Sequence, residues 1–154
     1  QPLDGGFRCD GVMTVREATS KEDFEQMLDM AANHPAPEYD CDFSVYAGAV
    51  LSAVGKRDRF RAWLLMDDEG DPVGYTAAIR ENYLRNEITV FDIYLTPEAR
   101  GLGRFKMLTD EIKQWAEESG ALRVTWTSKW PLKKWSDKLG LKLSEYTTFV
   151  WEVN

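Results

Sequence analysis

The stretch DIYLTPEARGLGR, residues 92–104, joins two kinds of patterning. Upstream of it, Ile88 to Leu95 is a nearly continuous apolar run interrupted by one acid, Asp92. Such a run suits a central strand buried on both faces. Downstream, Phe105, Leu108, Ile112, Trp115 and Ala116 recur on one helical stripe as far as Ser119, and Gly120 supplies the stop. Between them, Thr96-Pro97 ends the strand and Arg100-Gly-Leu-Gly-Arg104 opens the helix. Glycines at such a junction let backbone amides approach an anion at a helix N-terminus, with Arg100 and Arg104 adding formal charge. Glycine is equally at home in a strand-to-helix turn for backbone reasons alone.

Working outward, Met13 to Thr19 alternates as a strand, and Ser20 with Asp23 forms a capping box for a helix reaching Asn33. His34-Pro-Ala-Pro-Glu38 stops that helix, and Phe43 to Val54 reads as a second one, ending at Gly55. Phe60 to Met66 and Val73 to Arg80 are strands joined by the turn Asp67–Pro72, with Ile88 to Leu95 next. Leu122 to Thr127 is a strand, Pro131 opens a short helix to Leu139, and Leu143 to Val153 is a last strand. The order β-α-α-β-β-β-α-β-α-β predicts one α/β domain with a mixed sheet. Residues 1–12 are read as a tail without the apolar centre of a signal peptide, and 13–154 as the domain.

Composition narrows the function classes. The 154 residues are 44% hydrophobic and 29% charged, with formal net charge −7. An acidic chain is a poor general nucleic-acid binder. The most apolar stretch, Tyr46 to Val54, is too short to span a bilayer. Cys9 and Cys41 lack metal-ligand spacing, so a reduced, cytoplasmic protein without a metal is expected, with a single disulfide as the alternative. Charge is uneven: residues 1–100 hold 10 Lys/Arg against 19 Asp/Glu, and 101–154 hold 9 against 7. That division suits two ligands, an amine and an anionic cofactor.

Taken with the element order, residues 92–103 resemble the fourth strand and pyrophosphate loop of the GNAT superfamily of N-acetyltransferases. Trp135-Ser-Asp-Lys-Leu-Gly-Leu141 resembles that family's late helix, and Gly140 to Tyr146 resembles GNAT-like proteins of bacteriophages. The likeness runs from Met13 to Val153. It implies a GNAT-like, mostly antiparallel sheet with flanking helices. It also implies acetyl-CoA as acyl donor and direct transfer of its acetyl group to a primary amine, on a small molecule or a protein. Arg100 and Gly103 match the family loop pattern Arg/Gln-x-x-Gly-x-Gly/Ala, and Phe105 stands where a small residue is usual. The resemblance gives Gly101, Leu102, Gly103, Arg104 and Phe105 to the pyrophosphate and main-chain groups of Ile93, Tyr94 and Leu95 to the acyl-pantetheine. Phe105 also lies on the helix stripe, where it reads as core.

Glu87 falls at the position of the family's general base, thirteen residues before Arg100, or is a solvated glutamate at a hairpin end. Asp92, inside the apolar run, either meets substrate or pairs with an Arg of a neighbouring strand. Trp135 replaces the family's acid Tyr and Ser128 its Asn; Tyr146 is the alternative acid or a half-buried strand tyrosine. His34, Glu38, Tyr39, Asp40 and Asp42 form a polar connection that would suit a cationic acceptor or be plain surface. Trp63, Trp115, Trp126 and Trp151 read as core. Trp130 and Trp135, among Lys129, Lys133, Lys134 and Lys138, would meet the cofactor's 3′-phosphate or line a solvated face. A single strand follows Gly140, so a second chain completing the acceptor side stays open, as in a homodimer. The departures from the family pattern also leave open a non-catalytic GNAT-fold module that binds CoA or a protein partner, and, if the glycine loop is only a turn, an interaction domain without a CoA site.

Overall fold

The computed structural model describes residues 11–33, 42–81, 84–127, 137, 139–144 and 151–152. Their elements are β1 (Thr14–Ala18), α1 (Lys21–Ala32), α2 (Phe43–Ser52), β2 (Phe60–Met66), β3 (Pro72–Ile79), β4 (Glu87–Leu95), a 3-10 turn (Pro97–Ala99), α3 (Arg104–Ser119) and β5 (Arg123–Thr125). The strands form one sheet in chain order. β1 to β4 pair antiparallel, and β5 joins β4 in parallel after the α3 crossover. The mixed, mostly antiparallel α/β fold is the one expected.

The sheet has a hydrophobic layer on each face. Phe24 and Met27 of α1 and Tyr46 and Val50 of α2 pack with Leu64 and Tyr75 on one side. Leu108, Ile112 and Trp115 of α3 pack with Trp63, Leu65 and Ile88 on the other. β4 contributes to both layers, which is why its sequence is apolar almost without alternation.

α1 begins where its cap dictates. Ser20 Oγ accepts from the Asp23 amide at 3.1 Å, and the Asp23 carboxylate accepts from the Ser20 amide at 3.2 Å and the Thr19 amide at 2.9 Å. Arg16 Nη1 donates to the same carboxylate at 2.8 Å. Burial alone would raise the Asp23 pKa, but the donors from Thr19, Arg16 and Ser20 outweigh it and hold it below the usual carboxylate value. Asp23→Ala is expected to cost about 1–2 kcal/mol in a denaturant titration. The folded pKa lies below the unfolded one, so this contribution is present above the unfolded pKa. It is lost as pH falls through the folded pKa, and the gap between wild type and variant should close in acid.

Two expectations change. Of the last strand, Leu143 to Val153, the described positions Leu143, Ser144, Trp151 and Glu152 are irregular. Leu143 is 75% and Trp151 99% exposed, so these side chains have no buried face to hold a strand, and Trp151 is not core. Of the short helix expected over Pro131 to Leu139, Asp137 and Leu139 are described, and both are helical.

Candidate active site

β4 is the axis of the site. Opposite it, Ala77 pairs with Asp92 and Ala78 with Val90, so Phe91 is an extra residue, a β-bulge. The bulge shifts the alternation. Ile88 and Val90 before it, and Ile93 and Leu95 after it, face α3. Phe91 and Tyr94 pack on the α1/α2 side, and Asp92 bonds there too. β5 pairs with β4 only over Glu87 to Thr89. Beyond the Thr89–Thr125 hydroxyl contact of 2.8 Å, the edge of β4 has no partner strand among the described residues. β5 therefore ends level with Thr89, and the rest of β4 leads, with this edge uncovered among the described residues, toward the 100–104 loop.

In that loop Gly101 (φ 98°), Leu102 (φ 54°) and Gly103 (φ 73°) are successively left-handed. Leu102 tolerates a conformation that costs a side-chain-bearing residue energy, and it is 76% exposed. A Cβ at Gly101 or Gly103 would meet nothing within 4 Å, so the loop surface is open. α3 starts without a side-chain cap. The Arg104 amide donates to the Gly101 carbonyl at 3.2 Å, while no side chain among the described residues caps the amides of Phe105 and Lys106, and the helix dipole favours an anion there. Arg100 is exposed, donates from Nε to the Leu95 carbonyl at 3.2 Å, and stands 6.0 Å over the Tyr94 ring. These residues fit a diphosphate.

Arg104 does not act there as a cation. It is 4% exposed, and its Nη1 donates to the Ala99 carbonyl at 3.3 Å, bracing the 3-10 turn. Only its main chain belongs to the loop. Phe105 is half-buried against the α3-side layer and stacks on Trp126 at 6.0 Å. Phe105→Ala should therefore cost about 2 kcal/mol, less than a fully buried phenylalanine, by equilibrium unfolding. A stable variant that binds CoA much more tightly would show instead that the ring blocks the loop.

Glu87 lies at the end of β4 that β5 covers, 6% exposed, with Oε2 3.8 Å from Arg123 Nη1. Asp92 is 8% exposed. Its partners are not a neighbouring arginine. Tyr75 Oη donates to Oδ2 at 2.5 Å, Tyr46 Oη donates to the same oxygen at 2.7 Å, and the Ile93 amide donates to Oδ1 at 2.8 Å. Sequence reasoning missed both tyrosines, although a carboxylate in an apolar run requires donors. On the same face an open pocket of about 390 Å³ lies between α1 and the ends of β3 and β4, lined by Gln26, Asp29, Met30, Asn33, Tyr94 and Thr96 among others.

Tyr146, His34, Glu38, Tyr39, Asp40, Ser128, Trp130 and Trp135, with Lys129, Lys133, Lys134 and Lys138, lie outside the described residues. Asp42 is exposed at the start of α2. Among the described residues no cluster of His, Cys, Asp or Glu could hold a metal ion, and no helix is long and apolar enough to cross a membrane.

The model of the acetyltransferase (GNAT) family matches residues 21–132. No curated protein matches the chain. Solved structures with the same fold include AAC(6′)-Iy, an aminoglycoside N-acetyltransferase, in complex with a CoA bisubstrate analogue. It is 18% identical with TM-score 0.70, over 94% of this chain and 100% of that one. The ribosomal-protein-alanine N-acetyltransferase of Brucella melitensis biovar Abortus 2308 is 18% identical with TM-score 0.67, over 92% and 100%. An aminoglycoside acetyltransferase from an uncultured soil sample is 20% identical with TM-score 0.66, over 93% and 99%.

Proposed function

The chain belongs to the acetyltransferase (GNAT) family, and from that premise we propose that it transfers the acetyl group of acetyl-CoA directly to a primary amine. The observation that carries this reading is the continuity of the open β4 edge with the left-handed loop at the start of α3. Acetyl-CoA supplies the acyl group as a thioester. Amides of the loop and of the first turn of α3 hold the diphosphate, with Arg100 beside them. Edge groups of Ile93 and Leu95 line the path of the acyl arm, where an amide can stabilise a developing oxyanion. Glu87 takes the proton that the acceptor ammonium loses before it attacks; six strand residues, roughly 20 Å, separate Glu87 from Ile93, so the proton reaches it through a chain of waters and not directly. Asp92 is a weaker candidate for that role, because its carboxylate already accepts three hydrogen bonds. Tyr146 is the candidate acid for the departing thiolate.

The acceptor is a cation at neutral pH. The pocket beside Tyr94 suits it, with the acidic Asp29 and the polar Gln26 and Asn33 among its lining residues. AAC(6′)-Iy and the Brucella melitensis biovar Abortus 2308 enzyme act on very different amines by their names, so an aminoglycoside-like small molecule and a protein N-terminus are both carried forward. Calorimetric titration with acetyl-CoA and desulpho-CoA tests the donor half. Saturable binding of both at one site per chain is expected, and no heat from either would refute it. A non-catalytic module would bind both yet release no thiol with any amine.

A further inference from the structure

The open edge of β4 is closed by the protein's own side chains. The Thr96 amide donates to the Val73 carbonyl at 2.9 Å, so Thr96 turns its peptide groups toward β3. Antiparallel alternation then turns Tyr94 and Asp92 the same way, and Leu95 and Ile93 toward the open edge. Arg100 Nε occupies the Leu95 carbonyl. Asp92 Oδ1 occupies the Ile93 amide at 2.8 Å. The other carboxylate oxygen is tethered from two directions, by Tyr75 on β3 and by Tyr46 on α2.

We propose that Asp92 is a positioning residue which keeps the Ile93 amide closed until an acyl carbonyl displaces it, with Tyr46 and Tyr75 limiting how far the carboxylate can move. The proposal rests on the acetyl-CoA reading above. A carboxylate accepts a hydrogen bond more strongly than a neutral thioester carbonyl. The carbonyl therefore gains the amide only when Oδ1 lets go, and the protein's preference for acylated over carbonyl-free CoA is muted by that competition. Because Tyr46 lies on α2, the same tether links the donor edge to the helix layer on the α1/α2 face of the sheet.

Two measurements on the wild type, Asp92→Ala, Asp92→Asn and Tyr46→Phe test this. The first is the exchange rate of the Ile93 amide by NMR. The second is the Kd of acetyl-CoA against that of S-ethyl-CoA, which has the same length and no carbonyl. In Asp92→Ala the Ile93 amide should exchange about tenfold faster while that of Tyr94 is unchanged. The preference for acetyl-CoA over S-ethyl-CoA should rise roughly three- to tenfold, the worth of one hydrogen bond. Asp92→Asn, which has one neutral acceptor oxygen for which the Tyr46 and Tyr75 hydroxyls compete with the Ile93 amide, should move in the same direction as Asp92→Ala by less. Tyr46→Phe, which loosens the tether without removing the carboxylate, should move in the same direction as Asp92→Ala by less. An unchanged Ile93 exchange rate, or equal weakening of both ligands, would overturn the proposal. Failure of both ligands to bind the wild type would overturn the acetyl-CoA reading instead, and the exchange rate alone would then decide whether Asp92 closes the amide.

Discussion

Gly103→Val is expected to abolish acetyl-CoA binding while leaving a folded protein. Gly103 has φ 73° at the N-cap of α3, where a β-branched residue is strained, and a Cβ there would meet nothing within 4 Å. The fold should lose about 1–2 kcal/mol, because the strain is local and no packed atom is displaced. The added isopropyl group would project into the space where the loop amides meet the diphosphate. In the wild type, ligand at one hundred times its Kd contributes about 2.7 kcal/mol through linkage. For a domain of this size that is a rise in Tm of roughly 5–10 °C. The rise should vanish in the variant. A variant that keeps it would mean that the diphosphate lies elsewhere.

Glu87→Gln is expected to lower kcat by roughly 10²–10⁴-fold, the usual contribution of a positioned base, with acetyl-CoA affinity little changed. The substitution preserves size at a position only 6% exposed, so a packing defect is not the cause of the loss. Activity should recover in part at high pH, where more of the acceptor is already deprotonated. Near-normal kcat at neutral pH would remove Glu87 from the base role.

Strong periodicity made the frame of the site legible. β2 and α3 run over the residues that their patterns and glycine stops indicate, and β4 begins one residue early. The loop between β4 and α3 was legible through its glycines and Pro97. The bulge was not, because an extra Phe91 in an apolar run leaves no break in the pattern. Asp92 announced a need for partners but not which ones: Tyr75 and Tyr46 lie 17 and 46 residues away, and the sheet and α2 have to assemble before they meet it. Arg104 read as a loop cation because sequence shows its charge and not its direction. The turn of α3 carries it inward to the Ala99 carbonyl.

The most direct test of direct acetyl transfer is the initial rate of CoA thiol release, measured while acetyl-CoA and a primary amine are varied together. The amines should span a polyamine, an aminoglycoside and a peptide with a free alanine N-terminus. With one of them the rate should depend on both substrates, double-reciprocal lines should intersect, and the product amine should carry the acetyl group, as required when both are bound at once. Parallel lines, the signature of a covalent acetyl-enzyme, or thiol release indifferent to every amine, would contradict it.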